Sequence, residues 1–344
     1  MTAAFFEILQ GCAFDLKYLE LRMSAASVSP AGQGSIPGMS RLVTVKDEVG
    51  AQGVETERGR ALCGELEAGN ILYFPRTPFA FPDDDLKFLL GLKQTDASFH
   101  KNIAYRPAED RITGLDKTAQ GPEVDRLRAI VAGYSRRSAE FLGWLLPPYA
   151  GKWNLDYASY RPLEEQGRPA RLRARNDLPH VDAFPTRPTN GDRILRLFTN
   201  INPAQNRVWI TSQTFDVIGP QFAKMLGLPR QQSSNFVAKA VRGLANAARV
   251  PGANRSPYDD FMHRCHNAMK ESGEFQENCP KQRWEFPPHS TWIVFTDSVS
   301  HAVLQGQYAL EQTFIISRDA MVRPENSPLR ILERLAGHPL TRAN

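Results

Sequence analysis

The spacing of apolar residues changes along the chain from helical to strand-like and back. Apolar residues recur at intervals of three and four through 122–146, PEVDRLRAIVAGYSRRSAEFLGWLL, which predicts a long amphipathic helix. A shorter helix is predicted around 84–92. Near the end of the chain, SPLRILERLAGHPL predicts a terminal helix that docks through its apolar side. Helices are therefore expected before and after the central part of the chain.

Short apolar or alternating runs bounded by turn residues predict the strands. These runs are LVTV, NILYFP, RILRLFTNIN, RVWITSQTF, STWIVFTD and ALEQTFIIS. Residues 219–275, between RVWITSQTF and STWIVFTD, have mostly helical spacing. A helical insertion is therefore expected between two β blocks.

This order of elements indicates an α+β, mainly β fold. Many short strands with turn signals, and few of the crossovers that parallel sheets need, favour a jelly roll, also called a double-stranded β-helix or cupin-like barrel, supported by helices. Residues 24–38, SAASVSPAGQGSIPG, have the composition of a linker. We expect residues 1–40 to be a disordered extension and 41–344 to be a single domain with an insertion at about 219–275. The apolar start of the chain leaves open a surface helix or a membrane-lying anchor.

Composition excludes several classes of protein. The 42 Lys+Arg against 37 Asp+Glu give a net charge of +5 and a pI near 9.0, which is too mild for a dedicated nucleic-acid binder. The four cysteines contain no CxxC pair, so neither a disulfide framework nor a zinc ribbon is indicated. No apolar run approaches the roughly 20 residues that span a bilayer. A cytoplasmic protein, with contact at most at the surface of the inner membrane, is the simplest interpretation.

The motif His180-Val181-Asp182 carries the strongest chemical signal. In an extended segment, residues two apart point to the same side, so an imidazole and a carboxylate can reach one ion. His301, beside the later strand WIVFTD, can complete a set of two histidines and one carboxylate. Such a set leaves adjacent positions open on iron(II) for a chelating keto acid and O2. In a chain of this length and composition, about 0.4 His-x-Asp matches are expected by chance. The metal-site interpretation therefore depends on the flanking turn and strands and not on the spacing alone.

A dicarboxylate co-substrate also needs a cation that faces the inside of the barrel. Arg196 is the first candidate because it shares strand parity with Asn200, a polar residue that would be costly to bury without a partner. Arg193, on the opposite parity, is the second. The usual alternative position, about ten residues past the second histidine, falls near Gln312, which carries no charge. Arg196, Asn200, Gln312 and Arg193 are therefore the candidate co-substrate residues.

Several stretches of the chain resemble a known family. NDLPHVDAFPTRPTNGDRILRLFTNINP, VSHAVLQGQYALEQTF and SPLRILERLAG are similar to the bacterial 3-deoxy-D-manno-oct-2-ulosonic acid (Kdo) hydroxylases, which are iron(II)/2-oxoglutarate dioxygenases. The resemblance runs from about residue 59 to 340. It implies Fe(II) bound by His180, Asp182 and His301, with 2-oxoglutarate and O2 as co-substrates and ascorbate as a supporting reductant. It also implies hydroxylation of C3 of the Kdo sugar in Kdo-lipid A or the lipopolysaccharide inner core, giving Ko, succinate and CO2.

An acidic, lipid-linked substrate suits a basic approach to the site. Arg171, Arg173 and Arg175 precede the His-x-Asp motif and are the candidate substrate-binding residues for a Kdo carboxylate or a lipid A phosphate. A charge run of this kind is otherwise an ordinary solvated loop. The sequence leaves open whether the protein forms a homo-oligomer.

Other functions remain open on the residues alone. They are an oxygenase of another acidic substrate, a jelly-roll binding module without catalysis, and a zinc- or manganese-dependent hydrolase or isomerase on a cupin-like barrel. A second group of metal-binding residue types, His263, Cys265, His266 and Cys279, fits no standard zinc spacing. We interpret it as part of a helix face.

Overall fold

The strands form two sheets that face each other. In the computed structural model, the described residues are 36–46, 53–92, 102–115, 120–229 and 255–342. Residues 1–35 of the expected N-terminal extension, and residues 230–254 of the expected insertion, lie outside them. Residues Pro37–Asn344 cluster as one compact unit. Within the described ranges the chain forms eleven strands and seven α-helices.

The larger sheet has eight strands in the order β1-β2-β9-β6-β11-β5-β3-β4. All its pairs are antiparallel except β1 with β2. Its strands are β1 Leu42–Thr44, β2 Ile71–Phe74, β3 Ile103–Arg106, β4 Arg111–Thr113, β5 Trp153–Arg161, β6 Arg193–Asn200, β9 Thr291–Phe295 and β11 Ala309–Ile316.

The smaller sheet has the order β10-β7-β8, with β7 Arg207–Thr214, β8 Gln282–Phe286 and β10 Val299–Gln305. An isolated antiparallel bridge between His180 and His301 adds a short fourth segment beside β10. Aromatic and aliphatic side chains fill part of the space between the sheets, where Phe198 of β6 packs edge-on against Trp209 of β7 with ring centroids 4.8 Å apart. Two mainly antiparallel sheets that pack face to face around such a core form a jelly roll.

Two helical layers cover the outside of the roll. The helices are α1 Thr56–Glu67, α2 Asp83–Gly91, α3 Pro122–Leu145, α4 Phe215–Leu226, α5 Pro257–Glu271, α6 Gly273–Asn278 and α7 Pro328–Ala336. Helices α1 and α3 share an apolar core with Leu195 and Leu197 of β6. Helices α4, α5 and α7 form a second core with Val181 of the His-x-Asp segment. These sheets and helices confirm the predicted α+β, mainly β fold class. No described helix is both long and apolar enough to cross a membrane.

A capping box fixes the start of helix α5. The Ser256 side chain accepts a hydrogen bond from the Asp259 backbone N–H, and the Asp259 carboxylate accepts one from the Ser256 N–H. The same carboxylate accepts hydrogen bonds from the backbone N–H groups of Thr189 (2.8 Å) and Asn190 (3.1 Å). The cap therefore ties α5 to the loop that follows the His-x-Asp motif.

Candidate metal centre

Backbone pairing brings the His-x-Asp motif to the second histidine. The His180 N–H donates to the His301 carbonyl (3.1 Å), and the His301 N–H donates to the His180 carbonyl (2.9 Å). The Asp182 N–H donates to the Thr296 carbonyl at 2.7 Å. These hydrogen bonds hold the segment alongside β10 through an isolated bridge, with its first and third side chains facing each other while Val181 packs against the helices.

The two imidazoles present equivalent nitrogens to the carboxylate. His180 Nδ1 lies 2.7 Å from the Leu178 carbonyl oxygen, and His301 Nδ1 lies 2.9 Å from the Val299 carbonyl oxygen. A carbonyl can only accept, so each Nδ1 carries the proton and each Nε2 keeps a free lone pair. His180 Nε2 is 3.7 Å from Asp182 Oδ1, and His301 Nε2 is 3.9 Å from Asp182 Oδ2. Each imidazole therefore presents a free nitrogen to one oxygen of the Asp182 carboxylate.

These residues fit a divalent cation. Asp182 Oδ2 is buried and accepts no hydrogen bond from the described residues, although a buried carboxylate oxygen normally finds a partner. Adjacent ligands of an octahedral ion bound at about 2.1 Å are roughly 3 Å apart. The observed separations are within one ångström of that value, so small side-chain movements would close the set. Two imidazoles and one carboxylate suit iron(II).

Burial and charge set the protonation of the centre in favour of a metal. Burial lowers the pKa of His180 well below its usual value, and nearby Lys270 adds to the effect. Burial also lowers the pKa of His301. For Asp182, burial acts to raise the pKa, but Arg196, His301 and His180 outweigh it and hold the pKa far below its usual range. Neutral imidazoles and an ionised carboxylate are the states that bind metal ions.

A third histidine lies beside this group. A ring nitrogen of His266, on α5, is within 4.8 Å of ligand atoms of both His180 and Asp182. The His266 and His180 rings meet edge to face with centroids 4.9 Å apart. His266 Nδ1 lies 2.7 Å from the Val181 carbonyl oxygen, and burial lowers the pKa of His266 to about 4. In the sequence, His266 belongs only to the group that fits no zinc spacing. It lies 85 residues after Val181 along the chain, so no local signal could locate it.

The other members of the rejected zinc group do not meet. Cys265 is buried in the apolar core of α4, α5 and α7, and burial raises the pKa of its thiol to about 12. His263 is on the same helix and partly exposed. Within the described ranges, the cluster of potential metal ligands that does form is His180, Asp182 and His266.

Arg196 faces the inside of the roll and reaches the centre. Its Nη1 is 3.3 Å from Asp182 Oδ2, and its Nε is 3.6 Å from Glu311 Oε1. Burial acts to lower the pKa of Arg196, but Asp182 and Glu311 raise it overall. The side chain is 15% exposed, and its Nε is buried without a hydrogen-bond partner among the described residues.

Glu311 links Arg196 to Arg161, and neither Glu311 nor Arg161 was predicted from the sequence. Glu311 stands ten residues after His301, in β11, where the sequence analysis looked for a cation. It pairs with Arg161 Nη2 at 3.0 Å and accepts a hydrogen bond from Ser159 at 2.6 Å. The Arg161 Nε has no hydrogen-bond partner among the described residues. Counting ten residues strictly, and not to the neighbouring Gln312, would have found Glu311.

Three candidate co-substrate residues lie away from the centre. Arg193 is fully buried and forms a bidentate ion pair with Asp297, at 2.8 and 3.1 Å. Its side chain lies on the opposite face of the sheet from that of Arg196. Asn200 donates to the carbonyls of Gln205 and Phe286, both at 2.9 Å, and so fixes the β6–β7 turn. Gln312 pairs in register with Leu197, whose side chain faces the helical layer, and it donates to backbone carbonyls.

The arginines before the motif lie against the end of α5. Arg173 pairs with Glu271 at 2.5 Å, and Arg175 pairs with Asp177 at 2.7 Å. Arg171 is exposed. Lys270 of α5 donates to the Arg173 carbonyl at 3.1 Å, which links this segment to the helix that carries His266.

Comparison with known proteins gives the family. The family model for 3-deoxy-D-manno-oct-2-ulosonic acid (Kdo) hydroxylase matches residues 50–339. The chain is also similar to crystal structures of the Kdo hydroxylase KdoO, a non-heme Fe(II) alphaketoglutarate-dependent dioxygenase. The complex with alphaketoglutarate and Fe(III) is 33% identical, with a TM-score of 0.75 and coverage of 87% of this chain and 97% of that one.

The cobalt(II) complex is 33% identical, with a TM-score of 0.76 and coverage of 88% of this chain and 98% of that one. A search of curated proteins finds no match. The family match covers most of the chain, and the structural match adds the same fold and the same class of enzyme. The chain therefore belongs to the Kdo hydroxylase family of Fe(II)/2-oxoglutarate-dependent dioxygenases.

Proposed function

We propose that this member of the Kdo hydroxylase family binds Fe(II) through His180, Asp182 and His301 and hydroxylates C3 of the Kdo sugar of Kdo-lipid A to give Ko. The observation that carries the assignment is the approach of the two Nε2 atoms to the two oxygens of Asp182, at 3.7 and 3.9 Å. When bound, Fe(II) with 2-oxoglutarate and O2 supplies the oxidising chemistry, with succinate and CO2 as by-products. The protein supplies position, charge and exclusion of water.

Neighbouring residues keep the ligands oriented. The backbone carbonyls of Leu178 and Val299 hold the Nδ1 sides of the two imidazoles, so neither ring can turn without losing a hydrogen bond. Trp209 stacks on His301 with ring centroids 5.3 Å apart. His180, His301 and Asp182 are each less than 10% exposed, which limits the access of water to the centre.

We expect 2-oxoglutarate to bind through the arginines that flank Glu311. Arg196→Met should raise the KM for 2-oxoglutarate by about 10- to 100-fold, because a charge-assisted hydrogen bond contributes roughly 1.5–3 kcal/mol. Arg196→Lys should lower the KM part of the way back, since lysine restores the positive charge but not the planar guanidinium that can donate two parallel hydrogen bonds. Steady-state kinetics with varied 2-oxoglutarate measure both effects.

Arg161→Met is the companion variant, and Arg330→Met, at an exposed arginine of α7, is the matched control. The larger rise in KM identifies the arginine whose removal breaks the contact with the distal carboxylate. Iron content is measured in each, because Arg196 also pairs with Asp182. An unchanged KM in both Arg196→Met and Arg161→Met would remove these arginines from the co-substrate site.

The turn before the motif suits the approach of a lipid-linked acid. Leu172 is 47% exposed between Arg171 and Arg173, so an apolar side chain and two cations face outward together, as in peripheral contacts with anionic lipid. Reversing both charges, Arg171→Glu with Arg173→Glu, should raise the KM for Kdo-lipid A several-fold without lowering iron content. An acceptor KM equal to that of the wild type would show that the turn is an ordinary solvated loop.

A turnover assay tests the function itself. Purified protein is incubated with Fe(II), ascorbate, 2-oxoglutarate and Kdo-lipid A, and both succinate and the acceptor mass are followed. We expect succinate release coupled to a mass gain of about 16 Da, which corresponds to one oxygen atom. A binding module would consume no 2-oxoglutarate, and a hydrolase or isomerase would form no succinate. Succinate release with another acidic acceptor, and none with Kdo-lipid A, would show that the protein is an oxygenase of a different substrate.

A further inference from the structure

Helix α5 places a buried cation beside the metal centre. Lys270 lies one turn after His266 on this helix and is only 4% exposed. Residues four apart share one face of a helix, so Lys270 lies on the face that carries His266, whose ring nitrogen is within 4.8 Å of ligand atoms of His180 and Asp182. The Lys270 side chain is therefore beside the centre.

The ammonium group has few partners. One hydrogen bond is present, from Lys270 Nζ to the Arg173 carbonyl at 3.1 Å, whereas an ammonium can donate three. No acidic side chain in the described ranges lies within ion-pairing distance of Nζ. Burial lowers the pKa of Lys270 to about 8, against the opposing effect of Asp182 and Asp177, so the group is still charged at neutral pH. Buried charges are usually paired directly, but Asp182 and Asp177 act on this one only from beyond ion-pairing distance.

Other cations near the centre already have partners. Arg196 pairs with Asp182 and Glu311, and Arg161 pairs with Glu311. Both come from the large sheet, whereas Lys270 comes from the helical layer. The centre therefore has cations on two separate elements, and the one on α5 forms no direct ion pair with an acidic residue of the described ranges.

We propose that Lys270 binds the carboxylate of the acidic sugar and so determines which carbon faces the metal centre. This rests on the proposed function. In Kdo the carboxyl carbon is attached to C2, and C2 is attached to C3, so a cation that holds the carboxylate while C3 reacts must lie close to the metal ligands. Lys270 satisfies that requirement. A buried, preorganised ammonium also discriminates strongly against a neutral analogue, because an unpaired buried charge is costly.

Binding without turnover gives the first test. The methyl glycoside of Kdo and its methyl ester are titrated anaerobically, by calorimetry, into the wild type, Lys270→Met and Lys224→Met. Lys224 is an exposed lysine of α4 and serves as the control. We expect the wild type and the control to bind the acid about 10- to 100-fold more tightly than the ester, and Lys270→Met to bind the two alike. Equal binding of acid and ester by the wild type overturns the proposal, even if Lys270→Met does not fold.

Kinetics separate this role from a structural one. Lys270→Met should raise the KM for Kdo-lipid A by a similar factor while leaving the KM for 2-oxoglutarate unchanged, and Lys270→Arg should recover part of the acceptor affinity. A rise in the KM for 2-oxoglutarate with none for the acceptor would assign the ammonium to the co-substrate and overturn the inference. If the wild type forms no succinate with any Kdo acceptor, the proposed function fails. If it does form succinate but does not discriminate acid from ester, only the inference about Lys270 fails.

Discussion

Alanine at position 301 is expected to abolish Fe(II) binding and turnover, whereas alanine at the neighbouring His266 leaves Fe(II) bound. Both histidines lie near His180 and Asp182, but they are held differently. His301 sits on a strand that pairs with the His-x-Asp segment, and its Nε2 faces Asp182 Oδ2 at 3.9 Å. His266 comes from helix α5 and bonds the Val181 carbonyl through Nδ1. Strand pairing therefore makes His301 the partner equivalent to His180.

Loss of a direct ligand should cost more than the 10- to 100-fold typical of residues that only support a ligand. His180→Ala and Asp182→Ala are expected to match His301→Ala, with Fe(II) affinity lowered by more than about 100-fold. Anaerobic titration against a competing chelator measures the affinity, and circular dichroism checks the fold. Iron retained in His301→Ala and lost in His266→Ala would reverse the assignment of the third ligand.

The second large effect is expected on stability, from the ion pair that holds β6 to the turn after β9. Removing one partner, as in Arg193→Met, leaves the Asp297 carboxylate buried without its counter-ion. Such a change costs about 3–5 kcal/mol. Both side chains are at most 2% exposed, and Arg193 also donates to the Ser298 hydroxyl at 3.0 Å and stacks over the Phe295 ring. Urea unfolding, followed by tryptophan fluorescence, measures the difference.

An exposed pair of the same type provides the control for this variant. Arg283 and Glu285 are 47% and 50% exposed, so Arg283→Met should change stability by no more than about 1 kcal/mol. The double variant Arg193→Met with Asp297→Leu should recover part of the loss, because no charge is then left unpaired. A loss below about 1 kcal/mol in Arg193→Met would show that the pair is not needed to hold the strand.

The sequence by itself determined the features that depend on short-range order. The two-residue spacing of His180 and Asp182 needs only an extended backbone to put both side chains on one side. The helix at Pro122–Leu145 and the strand at Arg193–Asn200 followed from apolar spacing, because burial of one face selects the period. The jelly roll followed from the order of such elements.

Strand parity ranked Arg196 above Arg193, since adjacent positions face opposite sides of a sheet. In β11 only Gln312 was considered, whereas the structure places Glu311 beside Arg196. One residue of register reverses a side chain, and the register of β11 against β6 is fixed only by the paired strands. Arg161 was missed for a related reason, because its ion pair with Glu311 spans 150 residues.

Only the tertiary structure brought helix α5 to the centre. Two strands and a helix of the described residues separate His266 and Lys270 from the His-x-Asp motif, and their own segment looks like an ordinary amphipathic helix. The cap at Asp259 ties the helix to the loop after the motif, and apolar packing against Val181 seats it there. Local residues thus determined the metal-ligand motif. Long-range packing decided which cations surround it, because the position of a charge in space depends on contacts that no local pattern encodes.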